Sequence, residues 1–235
     1  MIVLSEFENI IAEQFSFVKA LRNGENKSVV VLRHKNLGTQ IVVREFSGDG
    51  SVYGLLKNVS HPNLPVIYSV EQTAGRCKVI EEYIDGITVA DVLCSGLYTP
   101  QGAAEVVKAI CAALDLLHSL DIIHRDIKPE NVMVDSSGTV KLIDFDAARV
   151  FKSYQPKDTS FIGTAGFAAP EQYGINQTDP RSDIFALGIL LNVMLTGEHP
   201  SKQLSSGRLS KVIEKCINLD PNKRFASAKE LSLSL

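Results

Sequence analysis

The sequence predicts an α+β chain in two unequal parts, a small β-rich one followed by a larger helical one. Three observations carry that expectation. β-Branched runs separated by turn residues fill the stretch up to about Glu82. Apolar residues at helical spacing dominate after residue 100. The segment IFALGILLNVML, residues 184–195, is apolar nearly all round, which marks a central, buried helix. The change of character falls near Tyr83–Gly86, so a single domain is expected with parts 1–84 and 85–235.

The elements follow in order. Ser5 and Glu8 are spaced as a capping box, and Phe7, Ile10, Ile11 and Phe15 recur behind them at helical spacing. A short amphipathic helix is therefore expected to lead into a strand near Phe17–Leu21. SVVVLRH, TQIVVREF and CKVIEEY read as strands, punctuated by KNLG and TAG. A helical stretch near Val52–Val59 interrupts them and is closed by HPNLP, because a proline disfavours helical geometry in the residue before it. Farther on, Thr99 is a good N-cap with Pro100 at the first helical position. Val106, Val107, Ile110, Ala113, Leu114 and Leu117 form the apolar stripe of that helix. Gly197 is placed to stop the central helix, and LSKVIEKCI and SAKELSLSL read as closing helices.

Composition narrows the function. With 235 residues, 45% hydrophobic and 22% charged, the chain can bury a sizeable core. A net charge of −3 argues against nucleic acid or an anionic membrane as the main partner. No apolar run approaches the roughly 18–20 residues of a membrane span, and the N-terminus lacks the pattern of a secretory signal. The four cysteines are far apart and form no C-x-x-C pair, so buried free thiols in a reducing cytoplasm are expected.

The chemistry concentrates in HRDIKPEN, residues 124–131, between Ile122-Ile123 and VMV, a strand–loop–strand pattern. LIDFD follows on another expected strand and contains Asp144. Asp126 is suited to accept a hydroxyl proton. Lys128 is suited to steady a migrating phosphoryl group. Asn131 and Asp144 offer hard oxygen ligands for Mg²⁺. Phosphoryl transfer asks a protein mainly for positioning and charge neutralisation, and these are the parts it needs.

These residues resemble the eukaryotic-type protein kinase family, and the resemblance covers almost the whole chain. HRDIKPEN looks like the catalytic loop, and DFD stands where the family has Asp-Phe-Gly. GTAGFAAPE (163–171) is similar to the end of an activation segment, and SDIFALG (182–188) to the start of the central helix. Arg224 in DPNKRF resembles the late arginine that pairs with Glu171 in the family. The resemblance implies a bilobal kinase-like fold with a small β-rich N-lobe, a larger helical C-lobe and a nucleotide held between them. Lys128 and Thr164 look like the serine/threonine branch. Arg125 implies control by phosphorylation of residues 144–171, where Ser153, Thr159, Ser160 and Thr164 carry hydroxyls. Thr164 is instead expected to hold Asp126 and Lys128.

The first part departs from the family pattern. Arg44 stands at the strand lysine position in IVVR, and counting to the expected helix glutamate reaches Val52. Arg is no neutral replacement for a compact ammonium. The glycine-rich loop retains Gly24 but carries Arg22 and Lys27 at its other two glycine positions. A lysine at the third position resembles the with-no-lysine kinases, so either Lys27 or Arg44 is the candidate phosphate-binding cation. A buried guanidinium needs a partner; Glu81, at the gatekeeper position, is expected to pair with Arg44, and strand alternation turns Glu45 away. By resemblance the nucleotide-contacting set is Gly24, Lys27, Val29, Val42, Arg44, Glu81, Glu82, Ile84 and Met133, with Val42 crowding the adenine side. Asp146 replaces the family's mobile glycine, and a stiffer segment is expected. Only 53 residues separate Glu171 from Arg224 (224 − 171), and the shortage falls in EHPSKQLSSGRLSK, where relatives often carry a docking helix.

The expected function is ATP- and Mg²⁺-dependent phosphoryl transfer to serine or threonine hydroxyls of a protein substrate, by a cytoplasmic, monomeric domain without a nucleic-acid partner. The alternative is a pseudokinase, a nucleotide-binding or scaffolding module. A small-molecule phosphotransferase is a third class, disfavoured by GTAGFAAPE.

Overall fold

The computed structural model describes residues 6–24, 26–73, 75–151, 163–173 and 177–235, with side chains from residue 10 onward. Ser5, Ser153, Thr159 and Ser160, and with Ser5 the expected capping box, lie outside them. The chain divides into two compact units, 1–60 with 65–84 and 61–64 with 85–235. The first is β-rich and the second mainly helical, an α+β chain.

In the first unit helix α1 (Glu6–Gln14) runs directly into β1 (Phe15–Asn23). β2 (Lys27–His34), β3 (Gln40–Ser47), β4 (Ile67–Thr73) and β5 (Arg76–Glu82) complete an antiparallel sheet in the order β1-β2-β3-β5-β4. β4 is the strand the sequence reading did not pick out. Its register slips between Ile67 and Ser69, which breaks the two-residue alternation that signals a strand. Helix α2 is shorter than expected, Ser51–Leu56, and its Gly50 N-cap makes no side-chain cap. Opposite residues of an antiparallel pair share a face, so Val29, Val31, Val42, Arg44, Phe46, Val79 and Glu81 lie on one side of the sheet. All seven are buried.

In the second unit β6 (Gly86–Thr88), β8 (Val132–Asp135) and β9 (Val140–Leu142) form a small sheet in the order β6-β8-β9. β7 (Ile122–Ile123) pairs with β10 (Arg149–Val150). Helix α3 (Val89–Ser95), also absent from the sequence reading, is only seven residues long; Thr88 and Asp91 cap it reciprocally. α4 (Pro100–Ser119) starts at Thr99, whose hydroxyl accepts from the Gly102 amide, and its predicted stripe is buried throughout. α5 (Pro180–Thr196) is the central buried helix, ended by Gly197 in the left-handed conformation, φ 74°. α6 (Arg208–Cys216) and α7 (Ala228–Ser234) close the chain. No helix among the described residues is long and apolar enough to cross a membrane.

Two expectations need correction. Asp144 is not on a strand: β9 ends at Leu142, and Asp144 takes a left-handed φ of 65°. A short carboxylate side chain tolerates that conformation where a β-branched residue does not. The thiols are not all buried, since Cys94 is exposed. Burial pushes the Cys111 thiol up to about 12, and burial likewise raises Cys216, so both act as packing groups rather than nucleophiles.

Candidate active site

The loop between β7 and β8 is held from below by one buried carboxylate. Asp183, fully buried on α5, accepts from the backbone N–H groups of His124 (3.0 Å) and Arg125 (2.8 Å) and bonds His118 Nε2 at 2.8 Å. Burial alone would raise its pKa; the His118 hydrogen bond and the surrounding donors outweigh it and hold the carboxyl low. These bonds fix Arg125 at φ 65°, a conformation that a non-glycine residue keeps only when its surroundings enforce it. Arg125 Nε donates to the Ala147 carbonyl at 2.7 Å. His124 is fully buried; Nε2–H donates to the Ile143 carbonyl (3.1 Å), and Nδ1 accepts from the Asp126 amide (3.4 Å). That assignment needs the neutral ring, and burial lowers the pKa accordingly.

Above this base the functional side chains converge. Asp126 Oδ1 accepts from Thr164 Oγ1 at 2.6 Å. Its Oδ2 receives Asn131 Nδ2 and Lys128 Nζ, both at 2.9 Å. Lys128 also donates to Thr164 Oγ1 at 2.7 Å. The turn Pro129–Asn131, opened by Pro129, carries Asn131 back toward Asp126, where its Nδ2 also meets the Asp126 carbonyl at 2.8 Å. With Nδ2 so engaged, the amide oxygen of Asn131 is left as an acceptor. The Ile143 amide donates to the Asn131 carbonyl at 2.9 Å, which puts the segment leading into Asp144 beside Asn131. An amide oxygen and a carboxylate on neighbouring segments suit Mg²⁺, which takes few protein ligands and completes its shell from phosphate and water. Met133, half-buried on β8, lies opposite Thr88 and Lys141 in the small sheet.

Thr164 owes its position to the segment that follows it. Gly163 sits at φ 128°, and a Cβ there would lie 2.8 Å from Gln172 Nε2 and 3.1 Å from the Arg125 carbonyl, so only glycine fits. Buried Gln172 links segment and loop, accepting from the Ala169 amide (3.0 Å) and donating to the Arg125 carbonyl (2.9 Å). Glu171 is locked by Arg224 at 2.7 and 3.0 Å and by Ser182 Oγ at 2.7 Å. Asp146 has no left-handed backbone; the positive φ falls two residues earlier, on Asp144.

In the first unit Arg44 and Glu81 meet as an ion pair. Arg44 faces Val79 across the β3–β5 ladder and Glu81 faces Val42, so the two are diagonal neighbours on one face. Arg44 Nη2 lies 2.9 Å and Nε 3.3 Å from Glu81 Oε1, with both side chains 7% exposed or less. The guanidinium also stands 5.9 Å from the centroid of the Tyr53 ring on α2. Glu45 turns to the opposite face and pairs with Lys78 at 2.9 Å. Lys27, half-buried at the start of β2, shares the face of Val29 and Arg44, and the Gly24 amide donates to its carbonyl at 3.0 Å. Val29 and Val42 are buried beside Arg44. Glu82 ends β5 with its carboxylate accepting from the Val66 amide at 3.0 Å, and buried Ile84 closes the unit.

Sequence reasoning missed Tyr53, His118 and Gln172 and used Asp183 only as a motif marker. Tyr53 is adjacent to Val52, the position the glutamate count reached, and offered the one available signal. His118 and Gln172 act through distant partners that no local pattern encodes.

Comparison with known proteins shows the family. The family model described as the protein kinase domain matches residues 14–233. The serine/threonine-protein kinase PknB of Mycobacterium tuberculosis is 34% identical over 182 residues, covering 71% of this chain and 29% of that protein. The probable serine/threonine-protein kinase PknB of Lactococcus lactis is 31% identical over 201 residues, 83% of this chain and 32% of its own length. The serine/threonine-protein kinase pak-2 of Caenorhabditis elegans is 28% identical over 254 residues, with 97% and 47% covered. The chain thus spans between about a third and a half of these curated relatives. A match to 220 residues (233 − 14 + 1) of the 235 identifies the chain as a member of the protein kinase family.

Proposed function

We propose that this chain transfers the γ-phosphoryl group of ATP to serine or threonine hydroxyls of a protein substrate. The hydroxyl oxygen bonds to the γ-phosphorus as the bond to the β–γ bridging oxygen breaks. ADP leaves, and the hydroxyl proton passes to Asp126. Lys128 turns its ammonium toward the transferring group. Asn131 and Asp144 would hold Mg²⁺, which supplies charge neutralisation at the phosphates when bound. The observation that carries the reading is the Asp126 carboxylate, oriented by Thr164, Asn131 and Lys128 together.

The phosphate-contacting cation is Lys27. Arg44 has its charge balanced by buried Glu81 and stands 5.9 Å from the Tyr53 ring centroid, which suits a structural pair better than a mobile phosphate ligand. Lys27 shares that face of the sheet. Glu81 takes the place of the missing helix glutamate, with Val42, Val29, Ile84 and Met133 as apolar nucleotide contacts and Glu82 supplying backbone groups. The working unit is a cytoplasmic monomer, the compartment of ATP and of reduced thiols. The altered glycine-rich loop favours the second reading, a nucleotide-binding pseudokinase.

Radiolabelled γ-phosphate transfer to myelin basic protein separates the two. Label on serine or threonine from the wild type, absent with Asp126→Asn, supports transfer. Equal label from both proteins, or none from either, rejects it.

A further inference from the structure

The segment between α5 and α6 contains no helix, yet it is held firmly. Buried Asn192 of α5 donates from Nδ2 to the carbonyls of Glu198 and Gln203, both at 2.8 Å, and accepts the Ser205 amide at 2.9 Å. Thr196 Oγ1 accepts from the Glu198 amide at 3.1 Å. The amides of Lys202 and Gln203 return to the His199 carbonyl at 2.9 and 3.1 Å. Residues 198–205 are therefore fastened to the end of the central helix rather than a loose connection.

From this platform His199 reaches the segment 163–171, the stretch that resembles the end of an activation segment. Its Nδ1 accepts from the Ser201 amide at 3.1 Å and lies 2.7 Å from Ser201 Oγ, which fixes the ring. Its Nε2 therefore carries the proton and donates to the Gly166 carbonyl at 3.0 Å. Gly166 lies within a turn in which the amides of Phe167 and Ala168 both donate to the Thr164 carbonyl at 3.0 Å. Thr164 in turn holds Asp126 and Lys128. The turn is tied to the catalytic loop before its centre through Thr164 and after it through Ala169 and Gln172, while His199 ties its middle to α5.

We propose that His199 is a positioning residue for the acceptor-protein site: it holds the turn 164–168 in register with Asp126, doing from a short connection what a docking helix would do from a longer one. The proposal deepens the protein-kinase reading and rests on it for the word acceptor. No contact of His199 with substrate is needed. The perturbation passes to the turn, so acceptor binding should suffer and ATP binding should not.

The test compares wild type, His199→Ala and His199→Gln, since glutamine keeps an N–H donor at nearly the reach of Nε2. With myelin basic protein as acceptor, His199→Ala should raise the acceptor KM about tenfold, the scale of one hydrogen bond, with the KM for ATP unchanged. His199→Gln should stay within about twofold of wild type. Hydrogen exchange read on the same proteins does not depend on turnover. The Phe167 and Ala168 amides should exchange about tenfold faster in His199→Ala and not in His199→Gln. Unchanged exchange in His199→Ala, or equal shifts in both KM values, overturns the positioning role. A wild type that transfers no phosphate refutes the kinase reading, while the exchange measurement still decides whether His199 holds the turn.

Discussion

Breaking the Arg44–Glu81 pair from one side should be far more damaging than removing it altogether. Both side chains are buried, and Arg44 Nη2 lies 2.9 Å from Glu81 Oε1. Glu81→Met leaves a guanidinium in an apolar sheet face beside Val42 and Val79, at a cost of about 3–5 kcal/mol. That is a large part of the ~5–15 kcal/mol that holds a domain together. At about 2–4 °C per kcal/mol for a chain of this size, the midpoint of thermal unfolding should fall by roughly 6–20 °C. Arg44→Met takes the guanidinium from a buried carboxylate and should cost a similar amount. The double variant fills the site with two flexible apolar side chains, and its stability should return to within about 1–2 kcal/mol of wild type. Urea unfolding of the four proteins gives the cycle, with a coupling energy of at least about 2 kcal/mol expected. Additive losses in the double variant would refute the argument, because they would mean that each group is held by neighbours other than the other.

Other consequences can be measured on the same protein. Buried His124 stays neutral in the fold while the unfolded chain takes up a proton below its ordinary value of 6.5; stability is therefore present above that pH and is lost as pH falls from about 6.5 toward the lower folded value. His124→Phe should flatten this part of the stability–pH profile, and an unchanged slope would place the dependence elsewhere. Glu171→Ala leaves Arg224 buried without its carboxylate and should destabilise the second unit by about 3–5 kcal/mol, read by urea unfolding. Thr99→Ala removes the cap of α4 and should cost about 1 kcal/mol, with no change in phosphate transfer. Thr164→Val removes the donor to Asp126 Oδ1 and one of the two Lys128 contacts given above, and should lower kcat by about 10–100-fold while leaving the KM for ATP nearly unchanged.

Much of this was legible in the sequence because the information was local or periodic. HRDIKPEN carries Asp126, Lys128 and Asn131 within six residues, so one turn brings them together, and Asp183 and Thr164 then fix the loop from farther along the chain. The Arg44–Glu81 pair was legible through the family resemblance, which puts Glu81 at the gatekeeper position near the strand cation; the buried guanidinium required a partner, and alternation turned Glu45 away. β4 escaped because a bulge at Ile67–Ser69 hides its period. Asp144 looked like a strand residue because nothing in LIDFD announces a left-handed turn after Leu142. Tyr53, Gln172 and His199 act across separations that only the folded chain closes, Gln172 reaching a carbonyl 47 residues away and His199 one 33 residues away.

The account stands most directly on which cation serves the phosphates. The decisive measurement is kcat/KM for ATP in Lys27→Ala and in the Arg44→Met/Glu81→Met double variant, assayed together. Loss of roughly 100-fold in Lys27→Ala, with the double variant within about tenfold of wild type, is the predicted result. A wild-type value in Lys27→Ala with an inactive but folded double variant would contradict it.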